Sequence, residues 1–304
     1  MKKSQSCVVS LIGNPKQEAL PPALVMDIQK RLKRLVESSK VEWLGEREAC
    51  EIHCVTDELS AVRIEMRSLM QDKPFDFAML APRGRKKKLL ISDMDSTMIA
   101  QECIDELADH MGIKEQVAAI TEAAMRGEVE FKQALIQRVA LLKGLQESVL
   151  QEVYNHRITL MPGAKTLLAT MKANGAKTLL VSGGFTFFTQ QVAQELGFDG
   201  EMANILEIDQ AQLTGRVMPP ILDKDSKLRA LQHVAKAYAI QVEETLAVGD
   251  GANDLPMVEA AGMGIAFRAK DILKRGATAA IDHCDLTALL YLQGYTKSEF
   301  KIAE

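Results

Sequence analysis

Asp93 and Asp95 stand two residues apart at the end of an apolar run, Leu-Leu-Ile-Ser-Asp-Met-Asp-Ser-Thr-Met over residues 89–98. A strand alternates its side chains, so this spacing sends both carboxylates to one side. Such a pair is where a phosphoryl-transfer enzyme could start. The plain alternative is a strand-end turn in which Asp93 or Asp95 caps the next helix.

The same grammar recurs twice. Residues 176–182, Ala-Lys-Thr-Leu-Leu-Val-Ser, run into Gly183-Gly184, and residues 245–250, Thr-Leu-Ala-Val-Gly-Asp, run into Gly251-Ala-Asn-Asp254. In open parallel sheets ligands bind at the carboxyl ends of strands, so three such loops can meet at one site. Lys227 lies between the second and third, where its cation would suit a phosphate. Singly, Ser182 could be a helix cap, Lys227 a solvated helix residue and Asn253 a turn former.

Taken in order, Asp93-x-Asp95-x-Thr97, Ser182-Gly-Gly, Lys227 and Gly249-Asp-Gly-x-Asn-Asp254 resemble the four motifs of haloacid dehalogenase-type phosphatases, over residues 89 to about 290. The resemblance implies Asp93 as nucleophile, forming an aspartyl-phosphate, and Asp95 as general acid and base. A carboxylate with a reference pKa of about 3.9 is already ionised at neutral pH and needs no activating base. It also implies Mg²⁺ held by Asp93, the Asp95 carbonyl and Asp250, with Asp254 behind them. Ser182, Gly183, Lys227 and Asn253 would hold the phosphoryl oxygens.

Two further stretches, Ser96-Thr-Met-Ile-Ala-Gln-Glu102 and Glu130-Phe-Lys-Gln-Ala-Leu-Ile-Gln-Arg138 onward to Gly144, resemble the substrate-recognition segments of phosphoserine phosphatases within that superfamily. An anionic Glu102 beside a phosphate dianion would be repulsive unless the substrate also carried a positive charge. A zwitterionic amino acid answers that requirement. The resemblance implies Glu102 on the ammonium and Arg138 on the carboxylate, a planar fork fitted to a carboxylate. Met125 and Phe131 would shield the substrate, although as a pair they also read as ordinary core. The implied activity is Mg-dependent hydrolysis of O-phospho-L-serine, the last step of serine biosynthesis. Another phosphatase or phosphotransferase of the superfamily, or an amino-acid sensor without turnover, are the competing readings.

Composition narrows the field. The 304 residues, 47% hydrophobic and 26% charged, suffice for one large and one small domain with buried cores. A net charge of -4 offers no broad electrostatic footprint for nucleic acid or an anionic membrane, so a small-molecule substrate is expected. Cys7, Cys50, Cys54, Cys103 and Cys284 are scattered and odd in number, which fits a reducing cytoplasm. Cys50, His53 and Cys54 read as buried or edge side chains of a strand rather than as metal ligands. No apolar run approaches a membrane span, and the amino terminus is too short and polar for a signal peptide.

The elements that must position these residues fall into two patterns. Residues 1–82 read strand (7–12), helix (22–38), strand (41–45), strand (49–55), helix (57–71), strand (75–81), a ferredoxin-like βαββαβ order similar to ACT-type regulatory modules. A homodimer through the edge of that sheet is compatible with this order. Arg83-Gly-Arg-Lys-Lys-Lys88 reads as a solvated linker flank. Residues 83–304 read as a doubly wound, Rossmann-like α/β domain, with buried strands at 89–94, 176–182, 245–249 and 263–267. Helices at 115–126 and 130–142, within a strand-free stretch at about 103–160, read as a helical cap inserted over the site.

Overall fold

The computed structural model describes residues 4–302 apart from Pro15, Arg126, Gly127 and Lys224. The amino-terminal part runs Gln5–Ile12 (β1), Pro22–Leu32 (α1), Ser38–Gly45 (β2), Ala49–Thr56 (β3), Leu59–Met70 (α2) and Asp76–Leu80 (β4). These strands form an antiparallel sheet ordered β2-β3-β1-β4. Val25, Ile28 and Leu32 of α1 and Val62, Met66 and Met70 of α2 recur at helical spacing and cover one face with Val9, Leu11 and Ile52. The expected helix over 22–38 ends early, at Leu32. Leu35 and Val36 continue the apolar spacing, but the chain there tightens into i→i+3 turns, with Arg34 N–H bonded to Arg31 O and Leu35 N–H to Leu32 O.

The larger part runs Leu89–Ser92 (β5), four helices Cys103–His110 (α3), Lys114–Met125 (α4), Phe131–Ala140 (α5) and Ser148–Arg157 (α6), then Ala164–Ala173 (α7) and Lys177–Phe185 (β6). It continues through Thr186–Leu196 (α8), Gly200–Asp209 (β7), Gln212–Met218 (β8), Ser226–Ala237 (α9), Thr245–Gly249 (β9) and Leu255–Ala260 (α10). Met263–Phe267 (β10), Asp271–Gly276 (α11), Ala279–Ile281 (β11) and Ala288–Leu292 (α12) complete it. The seven strands lie in the order β11-β10-β9-β5-β6-β7-β8, every pair parallel except β7 with β8. The chain leaves β5 toward β6 on one side and returns to β9 on the other. β5 is therefore the topological switch point, and its carboxyl end opens on a crevice. Strands β7, β8 and β11 have no counterpart in the sequence reading.

The two sheets share a core. Ile12, Leu44, Ala49, Ala78 and Leu80 pack in one cluster with Leu286, Leu289, Tyr291 and Tyr295. Asp76, 4% exposed, accepts bonds from the amides of Asp282, His283 and Cys284 at 2.8–3.2 Å.

Arg83, Lys86 and Lys88 of the basic block are exposed, as a solvated flank would be, but Arg85 and Lys87 depart from that reading. Arg85 holds both oxygens of Glu51 at 2.5 and 3.0 Å and also donates to Leu292 O. Lys86 pairs with Glu299, and Lys88 with Glu244. Lys87, 8% exposed, donates to Gly84 O and Glu243 O. Arg85, Lys86, Lys87 and Lys88 each reach a counter-charge or carbonyl far along the chain, so the segment straps the two sheets together.

All five cysteines are free and buried. Among the described residues no helix is long and apolar enough to cross a membrane.

Candidate active site

Three strand ends supply the site. β5 is four residues long and wholly buried, and Asp93 and Asp95 follow it where the chain leaves the sheet. Asp93 is 5% exposed, and its Oδ1 accepts from the Met94 amide at 2.7 Å and lies 2.7 Å from Lys227 Nζ. Lys227, in the first turn of α9 and 3% exposed, also donates to Asp254 Oδ1 at 2.6 Å. The second oxygen of Asp254 accepts from the amides of Asp250 and Gly251 at 3.2 and 3.0 Å. Asp254 thereby anchors the lysine to the loop that carries Asp250.

That loop needs its glycines. The Asp254 carboxylate fills the space a β-carbon on Gly249 would need, and the Asn253 side-chain oxygen does the same at Gly251. Asn253 is half-buried there. Carboxylate oxygens of Asp93, Asp250 and Asp254 lie within 4.8 Å of one another. Burial and the Asp254 charge push the Asp93 carboxyl well above its usual range, against the pull of Lys227. Burial and Asp254 likewise push Asp250 up to about 6. Lys227 is held above its ordinary value: burial opposes its charge, but Asp254 and Asp93 outweigh that. Three carboxylates thus crowd one buried ammonium.

Asp95 takes the capping alternative and also reaches the loop after β6. Its Oδ1 accepts from the Cys103 amide at 2.8 Å, capping α3, while its Oδ2 accepts from Ser182 Oγ at 2.9 Å. Ser182 Oγ in turn accepts from the Gly184 amide at 2.8 Å. Over this loop lies the helical segment: the tip of the Phe131 ring, at the start of α5, comes within 3.2 Å of where a Gly183 β-carbon would stand.

Glu102 and Arg138 flank this centre. Glu102 stands at the mouth, open to solvent on one side, and accepts from Ser96 Oγ at 2.6 Å. Crowding by protein and the Asp95 charge push it up to about 8, and the solvent on its open side tempers that push. Arg138 Nη1 donates to Thr121 Oγ1 at 3.3 Å and Nε to Ala134 O at 3.4 Å. Burial lowers its guanidinium, and the carboxylates of Asp105, Glu102 and Asp95 oppose that. Arg138, from α5, therefore shares one field with residues before α3 and in its first turn. The Met125 side chain lies outside the described residues.

Sequence reasoning missed the supporting shell of Ser96, Asp105 and Thr121. Ser96 is the informative case, since its φ of 56° is unusual for a residue other than glycine. That turn aims its hydroxyl at Glu102. The Ser96-to-Glu102 segment was quoted in the resemblance, but the bond between its ends has no sequence signature.

A family profile described as haloacid dehalogenase-like hydrolase matches residues 90–259. The phosphoserine phosphatase of Archaeoglobus fulgidus is 44% identical over 246 residues, 81% of this chain and 69% of that one. The chain belongs to the haloacid dehalogenase-like hydrolases, among their phosphoserine phosphatases. It spans about half the length, 53% and 54%, of two further phosphoserine phosphatases that are 44% and 46% identical. A haloacid dehalogenase family hydrolase from Salmonella enterica serovar Typhi superposes with a TM-score of 0.82 at 32% identity, covering 94% of this chain and 98% of that one. A phosphoserine phosphatase solved as a phospho-aspartyl intermediate analogue superposes at 0.64 with 40% identity, over 67% of this chain and 98% of that one.

Proposed function

We propose that this hydrolase cleaves O-phospho-L-serine to L-serine and phosphate through a phosphorylated Asp93. The observation that carries the reading is two hydrogen-bonded pairs beyond neighbouring strand ends, Asp93 with Lys227 and Asp95 with Ser182, with Glu102 and Arg138 in the field of Asp95. The first group addresses a phosphate. The second addresses an ammonium and a carboxylate.

Hydrolysis of a phosphate monoester is among the slowest uncatalysed reactions and asks for on the order of 20 kcal/mol or more of transition-state stabilisation. Asp93 attacks phosphorus and the serine oxygen departs with a proton from Asp95, which then takes one from the water that cleaves the acyl phosphate. Such proton transfer contributes typically about 10²–10⁴ in rate. Ser182, the Gly183 amide, Lys227 and Asn253 hold the phosphoryl oxygens as charge redistributes. Asp254 keeps Lys227 aimed at them.

An anion approaching a dianion at about 4 Å is repelled by about 4 kcal/mol per charge pair at an effective dielectric near 20. The donors of Asp93, Asp250 and the Asp95 carbonyl are all hard oxygens, and the acidic cluster holds more carboxylates than Lys227 can neutralise, a set that fits Mg²⁺. Bound there, the ion would offset that repulsion and polarise the phosphoryl oxygen. Both Asp254 oxygens already have hydrogen-bond donors, which supports a place for it behind the metal ligands.

Arg138 and Glu102 select the amino-acid end, and Phe131, over the phosphate loop, shields the bound substrate from water. The strand-free run of α3–α6 supports a cap at about 103–160. The βαββαβ order supports an ACT-like module over residues 1–82 beside a catalytic unit over 83–304. The test is phosphate release from O-phospho-L-serine, phosphothreonine and a sugar phosphate, with Mg²⁺ or with excess chelator, for the native chain and Asp93→Asn. Mg-dependent turnover selective for phosphoserine and lost in the variant is expected; turnover of the sugar phosphate alone would overturn the substrate assignment.

A further inference from the structure

The phosphate loop on β6 lies where the ladder to β7 is interrupted. Val181 is opposite Met202 and the next partnered residue is Phe185, opposite Asn204. Three residues, 182–184, therefore face a single residue, 203, and cannot all be held by strand pairing. Asn204, 1% exposed, answers this from its side chain. Its Nδ2 donates to Gly183 O at 2.8 Å, and its Oδ1 accepts from the Leu222 amide at 2.8 Å.

The first bond acts on a peptide plane rather than on one atom. Gly183 C=O and Gly184 N–H belong to the same planar unit. Asn204 holds its oxygen, and Ser182 Oγ accepts from its N–H at 2.8 Å. The plane between Gly183 and Gly184 is thus gripped at both ends, in a pair of residues that have no β-carbon to restrict them. The second bond reaches the segment that leads into α9, five residues before Lys227. One primary amide consequently ties together the two pieces of chain that bring Ser182 and Lys227 to the site.

We propose that Asn204 is a positioning residue for phosphate: it fixes the spacing between the Ser182–Gly184 loop and the Lys227 segment, so that both meet one phosphoryl group. This deepens the phosphatase reading and rests on it. The role requires a group that donates on one side and accepts on the other. Asparagine does both, whereas an ionised aspartate of the same shape only accepts and would set its charge against the Gly183 carbonyl. Aspartate breaks the first bond and keeps the second; alanine breaks both and leaves two backbone groups unpaired.

The experiment compares the native chain, Asn204→Asp, Asn204→Ala and Leu206→Ala, the last a control for lost stability, since Leu206 is buried in the hydrophobic core two residues along the same strand. Each protein is characterised by its thermal midpoint, by the Kd for inorganic phosphate from titration calorimetry, and by kcat and KM for phosphoserine. Turnover by the native chain tests the phosphatase reading, while the ratio of phosphate Kd values tests the role of Asn204. Asn204→Asp is expected to weaken phosphate by about tenfold or more and to lower kcat, with Asn204→Ala at least as impaired. Leu206→Ala should lose thermal stability and keep its phosphate Kd. Native-like phosphate Kd values in both Asn204 variants, or equal weakening in Leu206→Ala at a matched thermal midpoint, would overturn the proposal.

Discussion

Two aspartates buried to nearly the same degree do opposite work. Asp76, at the seam between the sheets, is 4% exposed, and Asp93, at the crevice, is 5% exposed. Asp76 divides its two oxygens among three backbone amides of residues 282–284, so neutral donors fully surround its charge. Asp93 has one amide and one shared ammonium, and it faces Asp254 and Asp250. Burial alone therefore does not mark a reactive carboxylate. What marks it is an unfinished balance, more negative charge than the protein itself neutralises, which a cation and a phosphoryl group can complete.

The contrast is sharpest if each aspartate is removed. Asp93→Asn keeps the acceptor for the Met94 amide and leaves Lys227 its bond to Asp254. Phosphate release from phosphoserine should fall by on the order of 10³-fold or more, with a thermal midpoint no lower than native. A variant that kept more than a tenth of the activity would remove Asp93 from the chemistry.

Within the crevice, Arg138→Ala tests whether recognition is separable from reaction. The expected loss in kcat/KM for phosphoserine is about 10²-fold, with discrimination between phosphoserine and a phosphoester lacking the amino-acid end largely abolished. Unchanged discrimination would return Arg138 to a structural role through Thr121.

At the seam the expectation reverses. Asp76→Ala strips three amides at once and should cost about 3 kcal/mol in urea unfolding, while kcat/KM of the folded protein stays within about twofold of native. A large activity loss without a stability loss would erase the distinction between the two aspartates.

The smallest effect is on pH. Crowding by protein and the Asp95 charge hold Glu102 up toward about 8, tempered by the solvent on its open side, so the free enzyme takes up a proton there as pH falls through that region. An ammonium is recognised by the ionised form, so kcat/KM for phosphoserine should rise from pH 6 to pH 8, by at most about tenfold per unit. Glu102→Gln should be weak throughout and lack that rise, and an identical profile in the variant would assign the titration elsewhere.

The crevice was legible because its residues announce themselves locally. Asp93 and Asp95 close an apolar run that marks a strand end even though the strand, read as 89–94, stops at Ser92, and Gly249 and Gly251 are small because Asp254 and Asn253 fold back over them. The seam was not legible, since the partners of Asp76 are main-chain amides 206 to 208 residues away and any sequence possesses amides. The basic block misled for the same reason, its counter-charges Glu51, Glu299, Glu244 and the Glu243 carbonyl being remote. β7 and β8 escaped because their outward positions carry Met202, Ile205, Ile208 and Met218, exposed apolar residues that blur the alternation of a strand.

The Asp76 clamp also divides the freedom to mutate unevenly between its two sides. Asp282 and His283 contribute only N–H groups to it, so their side chains can drift to almost anything but proline without loosening the grip, whereas the buried Cys284 also brings its thiol to the carboxylate. Position 76 has no such latitude, because it needs a short carboxylate with two accepting oxygens. Across lineages, one side of this joint would vary while the other stood still.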